Sequence, residues 1–393
     1  MFKFLMAGES HGLGLMGIIE GFPSGIKIEK ENIDKELKKR QQGYGRGDRQ
    51  KIESDSVKII SGIRGGVTLG SPIGIYVENR DYENWKDIMD PFEIDEKKTI
   101  EKNVERPRPG HGDLNGYFKY NHKDMRNVLE RASARETAIR VAGGGLFKEF
   151  LRLFKVDICS HVVSAGEVSF EEVVSFDEIK REAELSVVKV VNKEFEKKVI
   201  EKINEIKEEK DTLGGSFEIR VKGLIPGIGS HVHFDRKLDG LLAGELMSLQ
   251  GIKAVEIGRG KKAGVLKGSL IQDEIFFDKT KGVYRETNNC GGIEAGMSNG
   301  EELVIRCTMK PIPTVGKLLR SIDISDLSKS DSAFERSDVF AVPSASVVGE
   351  SIVAHVLANC YSEKFGGDFL EEVLNSYNYY LKTLEEKGWK VNQ

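Results

Sequence analysis

Apolar and polar residues follow two different periodicities along this chain. Short runs of alternating or clustered apolar residues, which are typical of strands, cover residues 57–60, 73–77, 217–221 and 303–307. Small or apolar residues at helical spacing cover residues 33–40, 125–154, 237–249 and 346–359. Because strands and long helices mix without a regular β-α-β alternation, the pattern predicts an α+β fold with antiparallel sheet packed on helices.

Residues 170–210 are dense in Glu and Lys. Within them an apolar stripe with helical spacing consists of Phe195, Val199, Ile203 and Ile206. This pattern predicts a charged, peripheral amphipathic helical region. Since no Pro- or Ser-rich linker interrupts the chain, we expect a single domain over residues 1–393.

Composition restricts the possible functions. The chain has 43 glycines and only 9 prolines, and the glycines lie beside polar and basic residues, which indicates a loop-rich active site. A net charge of -4 and a pI near 6.1 argue against general binding to nucleic acid or to an acidic membrane surface. Any binding of anions by Lys and Arg must therefore occur at a local cluster of these residues.

The cysteines and the amino terminus predict a cytoplasmic protein. Cys159, Cys290, Cys307 and Cys360 form no CxxC pair and have no nearby histidine at metal-binding spacing, so we expect them to be reduced and mostly buried. The amino terminus lacks the long apolar segment of a signal peptide, and no stretch approaches the roughly 18 apolar residues of a membrane span.

An arginine-rich segment over residues 129–146 predicts an anion site. On a continuous helix Arg131 and Arg135 would share one face, with Arg140 off that stripe, so their charges would repel unless a phosphate or carboxylate compensated them. A solvated basic face with Glu130 and Glu136 as neighbours is the alternative.

Small residues follow the same segment. Ala132, Ala134 and Ala138 would allow close approach of a flat or bulky ligand. The three glycines at 143–145 are expected to end or bend the helix.

Two histidines lie between glycines. His11 follows Ser10, and His111 follows Arg106 and Arg108. A histidine on such a loop can donate a proton near neutral pH, whereas a simple turn histidine is the alternative. Neither lies in a metal-binding pattern such as HExxH, so acid–base chemistry is favoured over metal ligation.

Further candidates for ligand binding lie on glycine- or proline-containing loops. Arg40, Arg46 and Arg49 frame a Gly-Tyr-Gly segment that could close over an anion, or could be a mobile exposed loop. Residues 310–314 place a cation and a hydroxyl on a stiff turn. Arg336 lies close to Asp338, a pairing that is also typical of a surface salt bridge.

Taken together, these motifs resemble the chorismate synthase family over nearly the whole chain. The matching segments, in the order of the family, are GESHGLGLMGIIEGFP at 8–23, RQQGYGRGDR at 40–49, RPGHGDLNGYFKY at 108–120, ERASARETAIRVAGG at 130–144, KPIPT at 310–314 and RSDVFAVP at 336–343.

The resemblance implies a lyase of the shikimate pathway, which supplies aromatic amino-acid biosynthesis. Its reaction is an anti-1,4-elimination of phosphate and a proton from 5-enolpyruvylshikimate 3-phosphate, with reduced FMN required although no net redox change occurs. It implies that His11 is the acid for the leaving phosphate and that His111 protonates or steadies the reduced flavin. Asp338 would tune the flavin nitrogen for proton abstraction.

The resemblance also implies two sets of binding residues. The substrate would contact Ser10, Arg40, Arg46, Arg49, Arg108 and Arg135. The flavin would contact Arg131, Ala132, Ser133, Gln250, Gly251, Ala295, Lys310, Pro311, Ile312, Pro313, Thr314 and Arg336. The chain departs from the family pattern at Gly112, where Ala is frequent, and at Ala295, where Gly is common.

The family fold is a layered β-α-β sandwich with helices between two antiparallel sheets, assembled as a homotetramer. Some members reduce their own flavin with NADPH, but the absence of a dinucleotide fingerprint leads us to expect an external reductant here. The alternative function is a non-catalytic flavin- or phosphate-binding protein on the same scaffold. A phosphatase is disfavoured, because no metal cluster or activated nucleophile is visible in the sequence.

Overall fold

The computed structural model describes residues 1–46, 54–317, 319–333 and 337–390. The strands are β1 (Lys3–Ala7), β2 (Gly14–Glu20), β3 (Val57–Ile59), β4 (Ile63–Arg64), β5 (Val67–Thr68), β6 (Ile73–Glu78), β7 (Asp157–Ala165), β8 (Val168–Ser169), β9 (Gly215–Lys222), β10 (Ile252–Ile257), β11 (Ile275–Asp278), β12 (Gly282–Arg285), β13 (Ile293–Glu294), β14 (Met297–Ser298), β15 (Leu303–Met309), β16 (Arg320–Ile322) and β17 (Lys329–Asp331). The helices are α1 (Lys30–Gln41), α2 (Lys86–Met89), α3 (Glu96–Glu101), α4 (Asp113–Tyr120), α5 (Arg126–Ala132), α6 (Thr137–Arg152), α7 (Phe176–Glu182), α8 (Lys193–Glu208), α9 (Leu238–Met247), α10 (Gly268–Ile271), α11 (Val342–Phe365) and α12 (Leu370–Glu386).

Two antiparallel sheets enclose a layer of helices. One sheet has the order β1-β2-β6-β3 and the other has the order β10-β15-β9-β7-β8. Helix α6 packs on β2 and β6, α11 packs on β7 and β9, and the two helices pack on each other with α1 beside them. The α+β class and the β-α-β layering are therefore confirmed.

The four predicted strand regions and three of the predicted helices are confirmed. The strand regions correspond to β3, β6, β9 and β15, and the helices to α1, α9 and α11. Within the charged segment, α7 and α8 form, and the predicted stripe of α8 points inward. Phe195, Val199 and Ile203 are buried, and Ile206 packs against the core while partly exposed.

The predicted continuous helix over residues 125–154 is wrong, because Ser133 interrupts it. Ser133 has an extended backbone (φ -62°, ψ 141°), and its hydroxyl accepts a hydrogen bond from the backbone N–H of Arg135. This is N-cap geometry, which ends α5 and starts a short 3-10 turn that leads into α6. Arg131 and Arg135 therefore do not share one helical stripe.

The prediction that the three glycines end the helix is also wrong. Helix α6 continues through them to Arg152. A Cβ at Gly144 would lie 2.3 Å from Cβ of Ser351 on α11, and one at Gly143 would lie 2.5 Å from the ring of Phe4 on β1. The glycines therefore allow the central helix to approach its neighbours more closely than any side chain would permit.

The main core runs from Phe2 to Tyr377 and includes three of the four cysteines. Cys159, Cys307 and Cys360 are buried as predicted, while Cys290 is partly exposed. Burial raises the pKa of the Cys307 and Cys360 thiols to about 12. Among the described residues, none of the helices combines the length and the apolar character that crossing a membrane requires.

Candidate active site

The first glycine-flanked histidine lies on the loop between β1 and β2 and is held by Glu130 of α5. The backbone N–H of His11 donates to Oε2 of Glu130 at 2.8 Å, and its Nδ1 lies 2.9 Å from both carboxylate oxygens. The ring stacks on Trp85 with a centroid separation of 4.1 Å. Contacts from two directions therefore fix the orientation of the His11 ring.

Glu130 is itself buried beside a second cation. Nη1 of Arg126 lies 3.2 Å from Oε1 of Glu130, and the Arg126 guanidinium lies 5.0 Å from the Trp85 ring centroid. Burial would raise the pKa of Glu130, but the hydrogen bonds and charge of His11, together with the charge of Arg126, lower it below its ordinary value. Glu130 is therefore a carboxylate at neutral pH.

Two of the predicted substrate-binding arginines share one buried carboxylate. Nη1 of Arg40 lies 3.2 Å from Oδ2 of Asp55, and Nη1 of Arg135 lies 2.7 Å from Oδ1 of the same residue. Burial lowers the pKa of Arg40 to about 10, although the charge of Asp55 opposes the shift. Since a guanidinium with this pKa stays protonated at neutral pH, Arg40 remains charged in a buried ionic cluster with Asp55 and Arg135.

Asn79 connects this arginine pair to the His11 loop. Its Oδ1 accepts from Nε of Arg135 at 2.8 Å, while its Nδ2 donates to the carbonyls of Glu9 and Gly12 on either side of the histidine. The backbone N–H of Ser10 donates to the carbonyl of Glu130. The structure therefore brings Ser10, His11 and Arg135 together.

The second glycine-flanked histidine pairs with a carboxylate close to it in sequence. Nδ1 of His111 lies 2.6 Å from Oδ1 of Asp113, the fully buried first residue of α4. Arg108 donates from Nε to Oδ2 of Asp113 at 2.8 Å and from Nη1 to the Thr314 hydroxyl at 3.1 Å. Burial would raise the pKa of Asp113, but the hydrogen bonds from His111 and Arg108 lower it far below its ordinary value.

Asp338 completes the predicted catalytic set from the opposite side of Thr314. It forms an ion pair with Nε of Arg46 at 3.1 Å, and its neighbour Ser337 donates to the carbonyl of Thr314 at 2.8 Å. A cavity of about 270 Å³ lies beside these residues; its lining is Lys207, Lys210, Asp211, Thr212, Thr314, Gly316, Ser337, Asp338 and Val339. The end of the charged helix α8 therefore reaches the site.

Most of the predicted flavin contacts lie on one wall of the site. Arg131 donates to the carbonyl of Gly8 at 3.0 Å. Nζ of Lys310 donates to the carbonyl of Gly110, and the backbone N–H of Lys310 donates to the carbonyl of Gly251. The first contact joins α5 to the His11 loop, and the other two join the turn at 310–314 to the His111 loop and to Gly251.

Gln250 and Lys310 are positioned on this wall by close contacts. Nε2 of Gln250 donates to Glu136 at 2.8 Å, while its Oε1 is buried and accepts no hydrogen bond from any described residue. Gly110 has φ +81°, and a Cβ there would lie 3.1 Å from Nζ of Lys310. The close approach of Lys310 to Gly110 depends on the missing side chain at Gly110, which keeps this cation at the His111 loop.

One predicted flavin contact, Ala295, lies at the other end of α9 from Gln250. Ala295 lies in the β13–β14 turn, and the adjacent Gly296 packs on Lys237 at the start of α9, whereas Gln250 follows the end of that helix. Helix α9, which is about 15 Å long, lies between Lys237 and Gln250 in the chain. Arg49 and Arg336 lie outside the described residues.

Sequence reasoning missed several residues of the site. Asp55 and Asn79 lie in segments with no recognisable motif, so no local signal indicated them. Asp113 lies within the motif at 108–120, and Glu130 is predicted only as a charged neighbour of the arginines. Trp85 is one of two tryptophans in the chain, and this rarity is the signal that could have drawn attention to it.

The arrangement combines two oriented histidines, ion-paired arginines and a carboxylate around connected loops. Oriented histidines can move protons near neutral pH, and converging guanidinium groups stabilise phosphate and carboxylate groups. Such a site can assist the departure of a phosphate.

Comparisons with known proteins agree with this chemistry. The family model for chorismate synthase matches residues 2–361. The chorismate synthase of Alkaliphilus metalliredigens is 53% identical over 381 residues, which are 97% of this chain and 99% of that protein. That of Alkaliphilus oremlandii is 50% identical over 388 residues, covering 98% of this chain and all of that protein. A crystal structure of a chorismate synthase superposes with a TM-score of 0.78 at 39% identity, covering 98% of each chain.

Proposed function

Since the chain belongs to the chorismate synthase family, we propose how its own residues divide the work of the family's reaction. The protein is a lyase of the shikimate pathway that converts 5-enolpyruvylshikimate 3-phosphate to chorismate by eliminating phosphate and a ring proton. The observation that carries the assignment of roles is that Thr314 joins the His111 cluster to the neighbour of Asp338, while Glu130 and Trp85 fix the His11 ring. Neither the geometry nor the comparisons favour a non-catalytic binding protein.

His11 is the acid that protonates the departing phosphate. Its ring is fixed by Glu130 and Trp85, and Nε2, which lies 3.9 Å from Oδ2 of Asp81, is the ring atom that would face the phosphate. A proton delivered in a fixed direction to the leaving oxygen lowers the barrier more than one supplied by water.

Binding of the anionic substrate depends on the arginines. We assign its phosphate and carboxylates to Ser10, Arg40, Arg46, Arg49, Arg108 and Arg135. The Arg40–Asp55–Arg135 cluster supports this assignment, because it fixes two guanidinium groups close together and Asn79 joins Arg135 to the His11 loop.

His111 and Asp338 act toward the cofactor. The family uses reduced flavin, which when bound supplies electron density transiently while phosphate leaves. With Nδ1–H donating to Asp113, His111 has Nε2 available to protonate or steady the flavin. Asp338 is the neighbour of Ser337, whose hydroxyl donates to the carbonyl of Thr314, so it lies beside the turn at 310–314.

Reduced FMN would be held by the residues of this wall, together with Ala295 from the other end of α9 and Arg336 from outside the described residues. The assigned contacts are Arg131, Ala132, Ser133, Gln250, Gly251, Ala295, Lys310, Pro311, Ile312, Pro313, Thr314 and Arg336. The cationic Lys310 supports the assignment, since a flavin mononucleotide carries a phosphate.

The test is chorismate formation from 5-enolpyruvylshikimate 3-phosphate under anaerobic conditions. One reaction contains dithionite-reduced FMN, and the other contains oxidised FMN with NADPH. We expect product with reduced FMN alone, which would mean that an external reductant supplies the flavin. Product in both reactions would reveal an intrinsic reductase, and product in neither would contradict the proposed roles.

We further propose a homotetramer in which the outer face of the β1-β2-β6-β3 sheet contacts another subunit. Leu5 is 73% exposed and lies opposite Ile18, which is 44% exposed, and Met16 on the same face is 50% exposed. Apolar residues normally leave the solvent face of an antiparallel sheet to polar ones. Light scattering after size exclusion should give a tetramer for the wild type and smaller species for Leu5→Glu with Ile18→Glu.

The remaining assignments concern location and domain organisation. We propose a cytoplasmic enzyme, which the free buried thiols of Cys159, Cys307 and Cys360 favour. We also propose that the chain acts as one domain, because one core extends from Phe2 to Tyr377.

A further inference from the structure

We propose that Glu130 is the positioning residue of His11, fixing a proton on Nδ1 and stabilising the imidazolium whose Nε2–H goes to the leaving phosphate. The inference rests on the proposed function of His11 as the acid. No contact between Glu130 and substrate or cofactor is invoked, so its influence is exerted through the histidine.

The contacts of Glu130 fix both the loop and the ring. Its Oε2 accepts from the backbone N–H of His11 at 2.8 Å, and both its oxygens lie 2.9 Å from Nδ1. Its own carbonyl accepts from the N–H of Ser10. One buried residue therefore determines the position of the loop and which ring nitrogen carries the proton in the neutral state.

Glu130 is in turn fixed by Arg126. Nη1 of Arg126 lies 3.2 Å from Oε1 of Glu130, and Nε of Arg126 donates to the carbonyl of Lys102 at 2.7 Å. The carboxylate therefore faces two cations, Arg126 and the protonated His11. This arrangement keeps Glu130 ionised and holds its carboxylate against Nδ1 of His11.

The other charged groups around His11 are placed differently. Oδ2 of Asp81 lies 3.9 Å from Nε2, beyond hydrogen-bonding distance, and Glu9 is on the same loop. The charges of Lys102 and Arg126 face the Trp85 ring rather than the imidazole. Among the described contacts of His11, Glu130 is thus the group that binds Nδ1, and Nε2 stays available to a phosphate oxygen.

The proton balance follows from this geometry. As the substrate C–O bond to phosphate breaks, its electron pair goes to the leaving oxygen, and the Nε2–H bond of His11 breaks to protonate that phosphate. His11 becomes neutral with its remaining proton on Nδ1, still donated to Glu130. Water then restores the proton on Nε2.

The experiment compares Glu130→Gln with Glu149→Gln. Glu149 is a matched control, because it is also buried and paired with an arginine, Arg152, but lies on α6 and contacts Asn32 rather than His11. We would measure kcat against pH with reduced FMN. We would also record the imidazole nitrogen NMR signals of 15N-histidine-labelled protein, assigning His11 by its loss in His11→Asn.

For Glu130→Gln we expect kcat to fall about 10- to 100-fold, because a poorly oriented acid loses part of its catalytic effect. The high-pH limb of the kcat profile of this variant should move to lower pH by about one unit or more, because the negative charge next to His11 is gone. Glu149→Gln should keep the wild-type profile. In wild-type protein the neutral His11 should carry its proton on Nδ1.

A wild-type kcat and pH profile in Glu130→Gln would overturn the inference. So would a neutral wild-type His11 with its proton on Nε2, an observation that needs no folded Glu130 variant. If wild-type protein made no chorismate at all, the proposed function would fail, whereas the NMR signals would still decide whether Glu130 fixes the His11 proton.

Discussion

The two Gly-His-Gly loops share a local sequence pattern but obtain the partners of their histidines differently. His111 pairs with Asp113, two residues further along the same loop. His11 pairs with Glu130, which lies on α5 in a distant part of the sequence, and stacks on Trp85 from a third segment. Local sequence therefore sets the environment of one histidine, while tertiary packing sets that of the other.

Removing His11, whose partners come from distant segments, should have the largest effect on turnover. We expect His11→Ala to lower kcat about 10²- to 10⁴-fold, because the leaving phosphate loses its acid. Flavin affinity, measured by fluorescence quenching, should stay close to that of the wild type. The exposed His233 serves as the control: His233→Ala should keep full turnover. A His11→Ala enzyme with normal turnover would remove His11 from the mechanism.

In the cluster of His111, Asp113 and Arg108, we expect the loss of Arg108 to lower the stability of the protein most. Arg108→Ala leaves the buried Asp113 without its main cation and should cost about 3–5 kcal/mol of unfolding free energy in urea denaturation. The exposed neighbour Arg106 provides the comparison, and Arg106→Ala should change stability by about 0.5 kcal/mol or less. Equal stability of the two variants would contradict the role given to Arg108.

The lowered pKa of Asp113 predicts that acid reduces the stability of the protein through this cluster. The pKa of Asp113 is lowered in the fold, so its ionised form stabilises the protein fully above the unfolded value of about 3.9. That contribution is lost as the pH falls below this value toward the lower folded pKa. In urea titrations between about pH 2.5 and 6, Asp113→Asn should therefore flatten the loss of stability in acid. Glu172→Gln, which changes an exposed carboxylate, should keep the wild-type slope.

The smallest effect tests whether the His111 cluster depends on the rest of α4. Asn121 caps the end of that helix with φ 51°, a conformation that Asn tolerates better than Ala. Asn121→Ala should cost about 1 kcal/mol of unfolding free energy, while turnover stays unchanged because Arg108 fixes the opposite end. Asn121→Gly should be close to neutral. Lost turnover in Asn121→Ala would show that His111 depends on more than its own loop.

The sequence pattern predicted the strands and helices that depend mainly on residues close together in the chain. The strand alternation at 73–77 and 303–307 was sufficient to locate β6 and β15, since one residue in two must face the core. The break at Ser133 was missed, because a serine inside a helical pattern becomes a cap only when its backbone turns extended. The glycines of α6 were misinterpreted, because Ser351 and Phe4, which require them, are far away in sequence.

The same limit applies to the site. Both histidines were identified from their glycine neighbours, and the pairing of His111 with Asp113 involves residues of one motif. The partners of His11 and Arg135 come from other segments, namely Glu130, Trp85, Asp55 and Asn79, and no spacing in one sequence brings them together. The layered arrangement was likewise implied by the family resemblance rather than by the pattern.

The close contact of α6 with α11 has a consequence for biosynthesis. Gly144 and Ser351 lie in opposite halves of the chain, so during translation α6 emerges from the ribosome long before the helix that covers it. Contacts between such distant segments slow folding, and the uncovered apolar face of α6 is prone to aggregation in the meantime. We therefore expect the nascent chain to depend on chaperones until α11 has been synthesised.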